Sequence, residues 1–323
     1  MITGGSSGIG LCAALSFGRL GWKVGLIARG AAGLASAQAA LGCVGAEAAS
    51  AVADVSDPAA LEAAAAALEA ALGPVTVWVN CAGNGVYGRF MEVTDAEFRR
   101  VTEVTYMGTV HGTRVALRRM VPRDLGVVIN VCSAVAFGGL PALSSYSGAK
   151  HAVRGFTESV RHELVNDGSR VGMTTIFPPA VNTPFFSHAA SHMAGSPRPA
   201  KPVYQPEIVA DAILLAATRR RREMQVGGIT VVFAFASGLI PGIVNRAIQH
   251  LGSEGQRTDD AAAVGLREDT LFAPSGRASG CHGPFGGESR GWSAQMWAAR
   301  HRGAIWGVIA VAVGVSLAWL GVR

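Results

Sequence analysis

Thr3-Gly4-Gly5-Ser6-Ser7-Gly8-Ile9-Gly10 opens the chain, and a helical pattern follows over residues 11–20. Glycine lets a backbone turn tightly and approach a ligand with no Cβ in the way. A helix starting at such a turn points free N–H groups and a positive dipole end at the same spot, which suits a pyrophosphate. The spacing is G-x3-G-x-G rather than G-x-G-x-x-G. In a doubly wound sheet the strand that leads into this turn is central. Only Met1 and Ile2 precede it here, so the first strand reads as truncated and the true start is expected upstream. A plain tight loop would use the same glycines, so the later segments must discriminate.

Those segments alternate. Residues 22–28 read as a short buried parallel strand ending at Ala28-Arg29. An acid at this place would accept ribose hydroxyls, whereas Arg29 suits a 2′-phosphate. A helix over 31–41 and a strand over 48–53 lead to Asp54-Val55. Asp54 can accept from an adenine amino group, or cap the Ala-rich helix that starts near Pro58. A strand over 75–79 ends in Asn80-Cys81-Ala82-Gly83, a second small-residue turn at the carboxyl edge, where ligands collect in such sheets. Residues 95–120 read as one long helix, and a strand over 127–131 delivers Ser133. A strand over 171–177 is stopped by Pro178-Pro179. Residues 185–204 look like a mobile lid with apolar patches. A helix over 206–222 closes on Arg219 to Arg222, read as a solvated C-terminal cap. After Gly227 the chain is almost wholly apolar to Val244, which predicts a last strand and then a helix on a partner subunit or in a membrane interface. The alternation predicts an α/β fold, a Rossmann-like doubly wound parallel sheet, over residues 1–252.

Tyr146-Ser147-Gly148-Ala149-Lys150 falls on the helix that runs to about residue 165. Positions i and i+4 share a helix face. A phenol ordinarily titrates near ~10, and a neighbouring ammonium favours its ionised form. Tyr146 then becomes usable as a general acid/base on a carbonyl or alcohol oxygen. Ser133 would add a hydroxyl to that oxygen. A half-buried Tyr beside a solvated Lys on an amphipathic helix has the same pattern.

The 323 residues are half hydrophobic, with mean hydropathy +0.32, net charge +6 and pI near 9.4. The basic residues are scattered without interleaved aromatics, which argues against nucleic acid and fits an anionic membrane surface better. The five cysteines form no CxxC pair and no ligand spacing, so reduced thiols and no metal site are expected. Residues 253–303 are rich in Gly, Ser and Arg without a period and read as a flexible linker. Residues 304–322 carry no charge, with Trp306 and Trp319 near the ends. As a helix they reach roughly 28 Å, close to the ~30 Å hydrocarbon core. The expectation is a single-pass C-terminal anchor with the main domain in the cytoplasm.

Thr3-Gly4, Gly8-Ile9-Gly10, Asn80-x-Ala82-Gly83, Ser133 and Tyr146-x-x-x-Lys150 together resemble the short-chain dehydrogenase/reductase family over residues 1 to about 250. The resemblance implies hydride transfer between a nicotinamide and a carbonyl or secondary alcohol, with NADP preferred over NAD because of Arg29. It implies that Tyr146 moves the proton, Lys150 lowers its pKa and holds the nicotinamide ribose, and Ser133 orients the substrate. Thr3, Gly4, Ser6, Ser7, Gly8, Ile9 and Gly10 then form the pyrophosphate turn. Asp54, Val55, Asn80, Ala82 and Gly83 border adenosine and ribose, while Pro178, Val181 and Thr183 approach the nicotinamide amide. Thr105 stands where the family has an Asn that holds a relay water, and its hydroxyl could serve instead. A lipophilic substrate and a homodimer pairing helices 95–120 and 144–165 complete the expectation. A non-catalytic NADP-binding membrane scaffold is the alternative. A nucleotide-sugar epimerase or dehydratase also uses Tyr-x-x-x-Lys, but the glycine spacing speaks against it.

Overall fold

The computed structural model describes residues 1–251, 254–260 and 267–303. Seven parallel strands form the central sheet: β1 Ile2–Thr3, β2 Val24–Ala28, β3 Ala48–Val52, β4 Val77–Asn80, β5 Val127–Val131, β6 Gly172–Phe177 and β7 Glu223–Gln225. Their order across the sheet is β7-β6-β5-β4-β1-β2-β3. Strands β2 and β4 are apolar and buried nearly throughout, as a sheet covered on both faces demands. Two-residue β1 is central: Ile2 pairs with Leu26 on one side and Val79 on the other. The Met1 amine donates to Val77 O at 2.7 Å, and burial pushes its pKa down to about 5.

Helices cover both faces. On one face α1 Gly8–Arg19, α2 Ala31–Cys43 and α8 Pro206–Thr218 bury Phe17, Leu34, Leu41 and Ile213 against the sheet. On the other, α3 Pro58–Leu72, α5 Gly108–Met120 and α6 Ser144–Asn166 bury Leu61, Leu68, Met120 and Leu164. Local chemistry starts these helices where the sequence suggests. Asp57 accepts from the Ala59 and Ala60 N–H groups ahead of α3, with Pro58 in the first turn. Thr94 and Glu97 form a reciprocal capping box on α4 Asp95–Val101.

Four expectations change. The long helix over 95–120 is broken by a π-helical turn, Thr102–Met107, between α4 and α5. The helix after it must pass close to the end of β3: a Cβ on Gly108 would lie 2.5 Å from Val55 Cγ2. The helix over 206–222 stops at Thr218, because the arginines run extended toward edge strand β7. Thr175 N–H donates to Arg222 O at 3.1 Å, and Arg219 and Arg221 donate to the Arg300 and Ala299 carbonyls rather than forming a solvated cap. The last strand therefore precedes Gly227, and the apolar stretch after it folds as two helices, α9 Gly228–Leu239 and α10 Pro241–Leu251, divided at Pro241. Residues 185–204 are held down: α7 is Phe185–His188, Ala190–Ser191 pairs with Val86–Tyr87, and Val203–Tyr204 pairs with Ala180–Val181.

The described part of the expected linker lies on the domain instead. Leu271 is 1% exposed, and Met296 of α11 Ala294–Arg300 packs into the core against α8. Many of the polar contacts here are made by backbone carbonyl and N–H groups, which any residue supplies, so composition carried little sign of it. Residues 304–322 lie outside the described residues. Among those described, no helix is long and apolar enough to cross a membrane.

Candidate active site

The glycine turn after β1 is closed by contacts that leave no room for side chains. A Cβ on Gly10 would lie 2.3 Å from Gly4 O, and one on Gly4 would lie 2.8 Å from Ala82 Cα. Gly4 and Gly8 also have φ of +67° and +53°, which other residues adopt at a cost. Thr3 does not face the cavity. Its hydroxyl accepts from the Cys81 and Ala82 N–H groups at 3.2 and 3.3 Å, joining the first turn to the second. Gly4, Ser6, Ser7, Gly8, Ile9 and Gly10 line a cavity of about 650 Å³ along the carboxyl edge of the sheet.

Helix α6 and strand β5 bring the reactive side chains together in that cavity. Tyr146 and Ser133 both line it, and the Ser133 hydroxyl favours the ionised phenol. The Lys150 ammonium donates to Val131 O at 2.8 Å and lies 5.6 Å from the centre of the Tyr146 ring. Burial pushes the Tyr146 hydroxyl above its ordinary pKa, outweighing Ser133. The same dry surroundings pull Lys150 below its own. Burial is thus the largest influence on Tyr146, and its direction is opposite to the effect expected of Lys150.

Thr105 is buried in the π turn, and its hydroxyl is already engaged. It donates to Asn84 O at 3.1 Å and accepts from Asn84 N at 3.2 Å. Thr105 therefore positions the loop after β4 and has little capacity left for a relay water. The Asn84 amide Nδ2 is buried without a partner in the cavity wall, and sequence reasoning did not single it out. Between Thr105 and Lys150 sits Gly83, whose absent Cβ would lie 3.6 Å from Thr105 Oγ1 and 3.9 Å from Lys150 Nζ.

At the far end of the cavity, Arg29 and Asp54 face each other at 3.9 Å. Asp54 accepts from Arg100 and from the Ser56 N–H and hydroxyl, at 2.9 and 2.8 Å for the two serine bonds. Burial opposes its ionisation, but these partners hold the carboxyl below the usual range. Val55, Ala82, Gly83, Pro178, Val181 and Thr183 also line the cavity. Asn80 does not. It is 3% exposed, and its amide accepts from Trp78 Nε1 at 2.8 Å and donates to Asn130 and Thr113. Asn80 is a tie between β4, β5 and α5 beneath the site.

The wall near Tyr146 is apolar. The Phe185 ring packs tilted against it at 5.5 Å, with Leu143, Tyr87 and Phe186 close by, and Phe233 and Ile248 of α9 and α10 also line the cavity. None of these was legible as a site residue, since each is an ordinary hydrophobe in sequence. Residues 270–279 form another wall, where Thr270, Pro274, Ser275 and Ser279 face in. The donor set fits a dinucleotide: a glycine cradle at a helix start for phosphates, a cation at one end, and an unpartnered amide beside a Tyr–Lys–Ser cluster at the other.

A family model described as short chain dehydrogenase matches residues 1–194. The uncharacterized oxidoreductase YxnA of Bacillus subtilis is 32% identical over 294 residues, 90% of this chain and 81% of that protein. A 3-dehydrosphinganine reductase of Danio rerio is 32% identical over 192 residues, 58% of this chain and 57% of that protein. Among solved structures, a short chain dehydrogenase/reductase from Burkholderia phymatum in complex with NAD superposes with TM-score 0.67 at 26% identity, covering 76% of this chain and 94% of that one. With the motifs in order and the reactive cluster assembled on the expected elements, the chain belongs to the short chain dehydrogenase family of oxidoreductases.

Proposed function

We propose that this oxidoreductase interconverts a lipophilic ketone and its secondary alcohol with NADP(H). The observation that carries the reading is that Ser133, Tyr146 and Lys150 line one cavity with the glycine turn, the Lys150 ammonium lying 5.6 Å from the centre of the Tyr146 ring. When bound, the reduced nicotinamide supplies a hydride to the carbonyl carbon. Tyr146 gives its phenolic proton to the carbonyl oxygen, so carbon and oxygen gain one hydride and one proton. Ser133 donates a hydrogen bond to that oxygen as charge develops on it. Lys150, held by Val131 O, offsets the negative charge left on Tyr146 until a proton returns from solvent.

Arg29 at the end of β2, where no acid stands, supports the phosphorylated cofactor. Phe185, Phe186 and Leu143 support an apolar substrate, as do the exposed Phe235 and Leu239 on the α9–α10 hairpin at 68% and 77%. The same apolar surface and the uncharged stretch 304–322 support attachment to a membrane with the domain on its cytoplasmic side. Helices α4, α5 and α6 are the faces through which two copies would pair.

The test is oxidation of NADPH by the full chain against a panel of lipophilic ketones, with Tyr146→Phe beside it. Turnover that falls by about 10²–10⁴-fold in the variant, with NADPH binding retained, is expected. An equal rate in the variant would overturn the mechanism. Binding with no turnover on any ketone would favour the non-catalytic scaffold.

A further inference from the structure

Residues 267–290 run as a strap over the carboxyl edge and satisfy, with their own carbonyls, groups that phosphates would need. Arg29 donates to Thr270 O at 2.6 Å and Leu271 O at 3.3 Å. The Gly8 N–H, at the start of α1, donates to Gly280 O at 3.0 Å. Further along, Phe285 N donates to Asn182 Oδ1 at 2.9 Å. If the cleft takes a dinucleotide, as proposed above, strap and cofactor compete for Arg29 and for the helix N-terminus.

One turn along α1 from Gly8 is Cys12, on the same helix face. The Gly8–Gly280 bond sets the next strap residue, Cys281, against it. Both thiols are free, Cys12 is buried, Cys281 is partly exposed, and each is the leading influence on the other's titration. Cys281 also packs on the core cluster that contains Cys12. Two thiols from opposite ends of the chain thus meet where the strap touches the phosphate-binding turn.

We propose that Cys12 and Cys281 form a redox site: a low-molecular-weight disulfide oxidises them to an intramolecular disulfide that pins the 267–290 strap across the cleft and excludes the cofactor. The Cys281 thiolate attacks the small disulfide, forming a mixed disulfide and releasing one small thiol. Cys12 then gives up its proton and attacks the Cys281 sulfur, releasing the second. Two protein thiols and one small disulfide become one protein disulfide and two small thiols. The environment favours that order. The neighbouring thiols shift one another in opposite senses, Cys281 downward and Cys12 upward. Capping Cys281 as a mixed disulfide removes the negative sulfur that keeps the proton on Cys12.

The full chain would be treated with oxidised glutathione, then digested without reduction for mass mapping. NADPH affinity and backbone amide exchange of the strap would be followed in parallel. A Cys12–Cys281 linked peptide is expected, with slower exchange over the strap and an NADPH Kd raised by about tenfold or more, all reversed by dithiothreitol and absent in Cys281→Ser. A linkage through other cysteines only, or a Cys12–Cys281 link that leaves the Kd unchanged, would overturn the proposal. If the reduced chain binds no NADPH, the dinucleotide reading itself fails, and exclusion of the cofactor falls with it. The peptide map and strap exchange still report on the thiol pair by themselves.

Discussion

At the scale of single residues, burial governs the titrations that matter. Desolvation keeps the Tyr146 phenol protonated well above neutrality. Proton donation is therefore available throughout the neutral range. Ketone reduction is expected to be flat between about pH 6 and 9, and alcohol oxidation to rise with pH, in kcat profiles of the two directions. A reductive limb with a midpoint near neutrality would place the donor elsewhere. Asp54 works in the opposite sense. Its burial is outweighed by Arg100 and Ser56, so its folded pKa is depressed. A depressed carboxylate lends stability above its unfolded pKa and loses it as pH falls through the folded one. Asp54→Asn is expected to be less stable than the parent at neutral pH, with the gap closing below about pH 4, in urea melts across pH. The position was legible in sequence as a strand-end acid; its partner Arg100, far along the chain, was not.

At the scale of elements, the entry to α1 shows why particular glycines are obligatory. Gly10 is wedged against Gly4 O, with no flexible neighbour to give way. Gly10→Ala is expected to force the turn open, weakening NADPH binding by at least tenfold and costing about 1–3 kcal/mol of stability. Calorimetry and cofactor titration of the same preparation would read both. Gly42, on exposed α2, has open space around its would-be Cβ. Gly42→Ala should stabilise by up to about 1 kcal/mol, because only backbone entropy changes. Equal effects at the two sites would mean that close approach is not what the turn requires. The start of α3 was readable from Pro58, since helix starts are local chemistry. The π turn was not, because the requirement to pass close to Val55 comes from a distant loop.

At the scale of the whole molecule, Asn80 shows a motif residue serving the frame. Its amide joins Trp78, Thr113 and Asn130 across three elements, out of reach of the cavity. Asn80→Ala should leave the Trp78 indole N–H unsatisfied, at about 1–3 kcal/mol, while Thr113 and Asn130 keep the bond between them. Thermal denaturation should show a drop of several degrees, while NADPH affinity well below the melting range stays within twofold of the parent. A lost affinity without lost stability would return Asn80 to the cofactor. The strap belongs to this scale too, since it brings residues 267–290 back to a turn formed by the first ten.

Periodicity, glycine spacing and the i,i+4 placement of Tyr146 and Lys150 were enough to predict the parallel sheet and the elements that bring Ser133, Tyr146 and Lys150 to one cavity. All of these rest on short-range geometry that repeats along a chain. The folded arrangement alone settled that Thr3 and Asn80 support the site without facing it, and that Thr105 is engaged by Asn84. It also showed that burial pushes Tyr146 upward, and that an aperiodic glycine-rich tail lies along the carboxyl edge of the sheet. Those outcomes depend on desolvation and on backbone carbonyls from distant segments, and neither leaves a mark in the order of side chains.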